Sequence, residues 1–292
     1  MTVSIKNKHL TVVIAPKGAE LQSIQNNDTE IEYLWQGDKD YWNRKAPVLF
    51  PIVGRLKDDR YTYKGHSYSM TQHGFARDSV FETIEQEEHK AVFQLTSSEE
   101  SKQLYPFDFV LTIAYEVIEN KVQVSYSVKN AAESETMYFS IGGHPGFNVP
   151  LTGSTKFEDY YLSFLPRRSR KQIPLKGPFA DPMNTTLAQT NTTLRLDRQL
   201  FDQDALIFEV KNSNTFSILS DKTPHSVEVI FENYPYVGVW SVPGKDAPFV
   251  CIEPWHGIAD TVDTSGKLEE KLGIQTLLAQ EIFQTKYSIQ VK

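Results

Sequence analysis

Four short stretches of this chain gather residue types that move protons or hold polar ligands. In IGGHPGFN, His144 is flanked by Gly142, Gly143, Pro145 and Gly146. Imidazole changes charge near neutral pH, and glycines beside it permit positive φ and close approach of a ligand to the backbone. The plain alternative is a structural histidine. In FVCIEPWHG, Glu253 follows the apolar run Phe249 to Ile252 and precedes Pro254, Trp255 and His256. Desolvation at the end of a buried strand raises a carboxyl pKa and makes a usable general base; the alternative is a glutamate held in a structural hydrogen bond. Trp255 either stacks on a sugar face or belongs to the core. A third stretch, FPIVGRLKDDRYTYKGHSYSMTQHGFARDSVF, holds Arg55, His73 and, four residues on, Arg77. Guanidinium is a fixed fork of donors suited to vicinal hydroxyls or carboxylates, and histidine donates or accepts as its tautomer requires. Either type also occurs as plain surface. His66, in the turn KGHSYS, reads as structural or exposed. In LFDQDALIF, Asp204 enters a hydrophobic strand, where an acid needs a partner: a ligand hydroxyl, or the backbone of a turn that it caps.

Other chemistries are excluded by inspection. The chain has no G-x-S-x-G elbow, no H-E-x-x-H, no phosphate-binding Walker loop and no G-x-G-x-x-G fingerprint. Its 37 acidic and 30 basic side chains leave a formal charge of −7, which repels nucleic-acid backbones. The lone Cys251 forms no internal disulfide, and the opening MTVSIKNKHL lacks the apolar centre of a secretory signal, so a cytoplasmic location is expected. Apolar runs such as Val48 to Gly54 fall far short of the ~20 residues that cross a bilayer.

The elements that must position these residues are strands. Val122, Val124, Tyr126 and Val128 alternate with polar residues, and Phe109 to Val117 precedes them across a turn at Glu119-Asn120. Phe283, Thr285, Tyr287, Ile289 and Val291 mark a terminal strand. Val227 to Phe231 and Tyr236 to Val242 add two more, while only Lys267 to Leu272 suggests a helical turn or two. The expectation is an all-β chain, a single large antiparallel domain over residues 1–292. Leu165 to Thr193, with prolines at 166, 174, 178 and 182, reads as a long surface loop. Its basic cluster Arg167, Arg168, Arg170 and Lys171 is either a solvated face or a phosphate site.

Five segments occur in an order that resembles one family: FPIVGRL, YTYKGHSYSMTQHGFAR, FSIGGHPGFNVPL, FDQDALIF and IEPWHGIAD. The chain resembles the aldose 1-epimerases (galactose mutarotase-like proteins), and more closely their LacX-type branch, over nearly its whole length. That resemblance implies a large antiparallel β-sandwich, an isomerase that needs no cofactor, and a sugar substrate. It implies His144 as catalytic acid and Glu253 as catalytic base. It places Arg55, His73 and Asp204 at the sugar, with Arg77 and Trp255 as further binding candidates. The chain departs from well-characterised galactose mutarotases at His73-Gly74-Phe75-Ala76-Arg77, where they carry paired glycines, and at Trp255-His256, which they lack. Which sugar is served therefore stays open between a free hexose and a sugar phosphate, the latter held by Arg77 or by Arg167, Arg168 and Arg170. A monomer or homodimer with no nucleic-acid or membrane partner is expected.

Three rivals of other classes carry discriminating features. A glycosidase needs two carboxylates flanking one bond, and here a histidine partners Glu253. A cupin-like metal protein would use His73, His144 and His256 as ligands, without any close H-x-H spacing. A sugar-binding module without catalysis needs only the binding residues, so retention of both acid and base argues against it.

Overall fold

A computed structural model describes all 292 residues of the chain. Alternation of apolar and polar residues translates directly into paired strands. Lys121–Asn130 buries Val122, Val124, Tyr126 and Val128 on one face, and it lies between Phe109–Ile118 and the terminal strand Ile282–Val291, with Val122 opposite both Val117 and Ile289. Around these three builds an antiparallel sheet of nine strands.

A second sheet has eight strands. Its centre is Phe249–His256, flanked by Tyr236–Trp240 on one side and by Ile141–Gly143 and Gly146–Asn148 on the other. Every residue of Phe249–His256 is buried, which marks a strand covered on both faces. Val250 and Ile252 point into a core of 62 buried residues to which both sheets contribute. The odd-numbered Cys251, Glu253 and Trp255 take the opposite face, because side chains alternate with a period of two. That face is roofed by smaller clusters containing Trp35 and Phe249, and Trp255, Ile207 and Ile258.

Two expectations are corrected. The stretch Leu165 to Thr193 is no plain loop: Arg170–Ile173 joins the eight-stranded sheet between Thr186–Ala188 and Leu206–Glu209. Its prolines fall at or beyond the strand ends, where no ladder N–H is lost. The basic cluster is also not one surface. Arg170 is buried, donates to Thr190, Asn214 and backbone carbonyls, and packs over Phe216. The Lys267 to Leu272 stretch carries a single 3-10 turn, Leu268–Glu270. No helix is long and apolar enough to cross a membrane.

Candidate active site

Strand register creates the site's central contact. Gly142 pairs with Trp255 and Gly146 with Cys251. Two residues inward from each of these pairings, His144 falls across from Glu253. Pro145 has no N–H to continue the ladder, so the strand breaks there, and only its carbonyl accepts a long 3.4 Å bond from Ile252 N–H. Within that break His144 Nε2 approaches Glu253 Oε2 to 3.2 Å.

The glycines around His144 serve a different end from the one expected. Neither Gly142 nor Gly143 has positive φ. A side chain on Gly142 would place Cβ 2.6 Å from the Trp255 ring, and one on Gly143 would meet Tyr287 Oη at 2.5 Å. They are small because aromatic side chains press on the backbone from both faces. Gly238 on the other flanking strand leaves the same room for the far edge of the Trp255 indole. Trp255 is thus wedged between its neighbours, buried like a core residue, with one edge on the cavity described next.

All seven residues singled out in the sequence, namely Arg55, His73, Arg77, His144, Asp204, Glu253 and Trp255, line one cavity of about 340 Å³. His73 is clamped by a reciprocal pair of bonds to Gly54: its N–H donates to the Gly54 carbonyl at 2.9 Å, and its Nδ1 accepts the Gly54 N–H at 3.1 Å. An accepting Nδ1 leaves the proton on Nε2. Burial, and then the nearby His144 and arginines, hold the His73 pKa well below the usual imidazole range. His73 is therefore a neutral N–H donor. Its ring meets that of His144 edge-on at 5.5 Å.

Asp204 adopts φ of +72° just before the strand Leu206–Glu209 and lines the cavity. Arg55 is exposed, and its guanidinium donates to Gln72 Oε1 at 3.3 Å. Arg77 donates to the Gln72 carbonyl at 2.6 Å. Gln72 thus ties the two arginines to one wall, a role with no sequence signal beyond its place beside His73. Arg167, Arg168, Arg170 and Lys171 do not line the cavity. Nor does His256, which points to the other face, pairs with Thr285 Oγ1 at 3.1 Å and packs on Tyr234 and Phe283. The trio His73, His144 and His256 is not brought together.

Trp42 and Trp240 were missed. Trp42 stacks on the His144 ring at 4.8 Å between centroids, and Trp240 meets it edge-on at 5.6 Å. Trp42 comes from an irregular segment near the N-terminus, where no periodicity marks it. Trp240 pairs with Cys251 and faces the same way as Glu253, which the register makes legible in retrospect.

The aromatic lining sets the electrostatics. Burial pushes His144 down to about 3. Burial, reinforced by Asp204, pushes Glu253 well above the usual carboxylate range, partly opposed by the Trp255 indole. The acid and base roles that the resemblance implies call for His144 protonated and Glu253 ionised. The resting pair holds the same single proton, with burial favouring its place on the carboxyl, because an uncharged pair is less costly in a low-dielectric wall than a separated ion pair.

The sequence profile of the aldose 1-epimerases matches residues 1–271. Protein LacX of Lactococcus lactis subsp. lactis, in its plasmid and chromosomal forms, is 32% identical over 299 residues, covering 100% of this chain and 99% of the relative. A galactose mutarotase related enzyme of Lactobacillus acidophilus is 42% identical and superposes with a TM-score of 0.98 over 100% of this chain and 97% of its own. A galactose mutarotase-like protein of Lactobacillus casei is 32% identical, with a TM-score of 0.92 over 100% of both chains.

Proposed function

This chain belongs to the aldose 1-epimerase family, and on that premise we propose that it interconverts the α and β anomers of a hexose, with Glu253 and His144 as base and acid. The reading rests chiefly on the 3.2 Å approach of His144 Nε2 to Glu253 Oε2 in the wall of a sugar-sized cavity. Anomer exchange removes the C1 hydroxyl proton while the ring oxygen gains one, so the ring opens to an aldehyde. Rotation about C1–C2 presents the other carbonyl face, and the protons return on closure. Net proton change is zero, which suits a pair that carries one proton throughout.

In the active arrangement the shared proton sits on His144, to be given to the ring oxygen, and Glu253 takes the proton of the C1 hydroxyl. Polar sugar groups arriving beside Glu253 restore the stabilisation of charge that burial removes. The Nε2–H of His73, the guanidinium of Arg55 and the carboxylate of Asp204 hold hydroxyls so that C1 and the ring oxygen stay between the two groups. Trp42 and Trp240 present apolar faces to sugar C–H groups and keep the His144 ring in plane. A sugar phosphate is the second reading, favoured by Arg55 and Arg77 lining one wall. Exchange NMR with a panel of free and phosphorylated aldoses tests both. Accelerated exchange for at least one sugar is expected, and none across the panel refutes the reading.

A further inference from the structure

One group beneath the cavity has no task in anomer exchange. Cys251 is fully buried and precedes Glu253 by two residues in Phe249–His256, so both side chains leave the same face of the sheet. Its Sγ, a ring nitrogen of His144 and a carboxylate oxygen of Glu253 all lie within 4.8 Å of one another. His144 is 8% exposed and Glu253 1%. Even so, His144 Nδ1 has no partner, and Glu253 Oε2 has only the 3.2 Å approach of His144 Nε2, which lacks hydrogen-bond geometry. Buried polar atoms left this way mark a place where something else can bind.

We propose that His144, Cys251 and Glu253 form an inhibitory site for a soft divalent cation of the zinc class, which enters through the cavity and takes both catalytic groups out of the reaction. One nitrogen, one sulfur and one oxygen donor are a zinc-type set, and three protein ligands leave a fourth position, open here toward the cavity that His144 and Glu253 line. Magnesium and calcium want octahedral or larger all-oxygen shells, which this site does not offer. Charge agrees. A thiolate, a carboxylate and a neutral imidazole sum to two negative charges, so a divalent ion makes a neutral cluster in a buried wall. On binding, the thiol proton and the proton shared by His144 and Glu253 leave to solvent. Zinc bond lengths of ~2.0–2.3 Å set tetrahedral ligand atoms roughly 3.4–3.6 Å apart. His144 and Glu253 are already at 3.2 Å, and the thiol, within 4.8 Å of both, has to close by no more than roughly 1.4 Å. Gly146 aids this, since it places no side chain beside Sγ.

Binding stands apart from the proposed activity, and only the inhibition rests on it. The test is titration of the reduced full chain with Co²⁺, the spectroscopic stand-in for zinc. Cys251 is the only cysteine, so any thiolate-to-cobalt charge-transfer band reports on it alone. Expected are that band with four-coordinate visible transitions at one equivalent, its loss in both Cys251→Ser and Cys251→Ala, and cobalt binding at least roughly tenfold weaker in each. Zinc should inhibit wild-type exchange reversibly on adding chelator, and Cys251→Ala should need at least about tenfold more zinc. A wild-type spectrum without the band, or zinc inhibition unchanged in Cys251→Ala, overturns the site. A thiol-dependent band in a protein that exchanges no sugar's anomers upholds the site and refutes the activity.

Discussion

Replacing Glu253 with glutamine separates chemistry from architecture. The amide keeps the side chain's size and can donate to the His144 Nε2 that now sits 3.2 Å away, but it cannot take the C1 proton. Loss of a positioned base should lower kcat by on the order of 10² or more, about 2.7 kcal/mol of barrier, while sugar binding changes much less. Stability should move the other way. Burial raises the Glu253 pKa well above its ordinary 4.5 in the folded chain. A raised folded-state pKa means stability that is fully present below the unfolded value and is lost as pH climbs toward the folded one. At pH 7 the wild type has therefore lost stability that glutamine never loses. Linkage of one proton is about 1.4 kcal/mol per pH unit, so the gain in Glu253→Gln cannot exceed roughly 3 kcal/mol at pH 7 and fades to nothing near pH 4.5. Urea unfolding at pH 7 and pH 4.5, beside NMR exchange rates starting from a pure anomer, reads both effects. Wild-type exchange by Glu253→Gln refutes its role as base; a variant less stable at pH 7 than at pH 4.5, relative to wild type, refutes the burial argument.

Arg55→Ala removes an exposed side chain whose one side-chain hydrogen bond goes to Gln72, so unfolding should be nearly unchanged while KM rises. Loss of a charge-assisted bond of ~1.5–3 kcal/mol predicts kcat/KM lower by roughly 10- to 100-fold. The pH profile of kcat/KM should be bell-shaped with macroscopic limbs belonging to the pair. Since burial takes His144 to about 3, the acid limb should lie far below pH 6.5, and a midpoint near 6.5 counts against the pair. His256, held down to about 4 by burial, stays neutral in the fold while the unfolded chain protonates. Its contribution is complete above pH 6.5 and is lost toward pH 4, about 3 kcal/mol over ~2.5 units. His256→Gln should flatten that acid loss in urea titrations, and an unaltered slope refutes it.

What the sequence made legible divides along physical lines. Period-two runs such as Val122 to Val128 and Phe283 to Val291 locate strands, because a half-buried strand must alternate. The seven site residues stand out because titratable groups beside Gly, Pro and Trp are chemically conspicuous, and all seven reach one cavity. Long-range effects were not legible. The glycines at 142 and 143 answer to Trp255 and Tyr287, residues more than a hundred positions away, so local chemistry suggests a ligand where packing is the cause. Arg170 reads as one of a surface cluster, yet Phe164 and Phe216 close over it. Trp42 has no periodic context, and only the folded chain sets it on His144.

The location of the shared proton follows from the same strand geometry. Register sets His144 across from Glu253, and Pro145 interrupts the ladder between two pairings that are otherwise in one register. Trp42, Trp240 and Trp255 then remove water from around them, which presses the histidine down and the glutamate up until neither charge is favoured alone. On the proposed mechanism anomer exchange runs in both directions over the same groups, so the acid of one half-reaction must be the base of the other. A pair whose one proton has two sites 3.2 Å apart, neither strongly stabilised as an ion, meets that demand without favouring either anomer. The consequence is that substitutions which expose the pair to water, such as Trp42→Ala, should let His144 rise and Glu253 fall toward their ordinary values, drawing the two limbs of the bell together from both sides, even though Trp42 exchanges no proton itself.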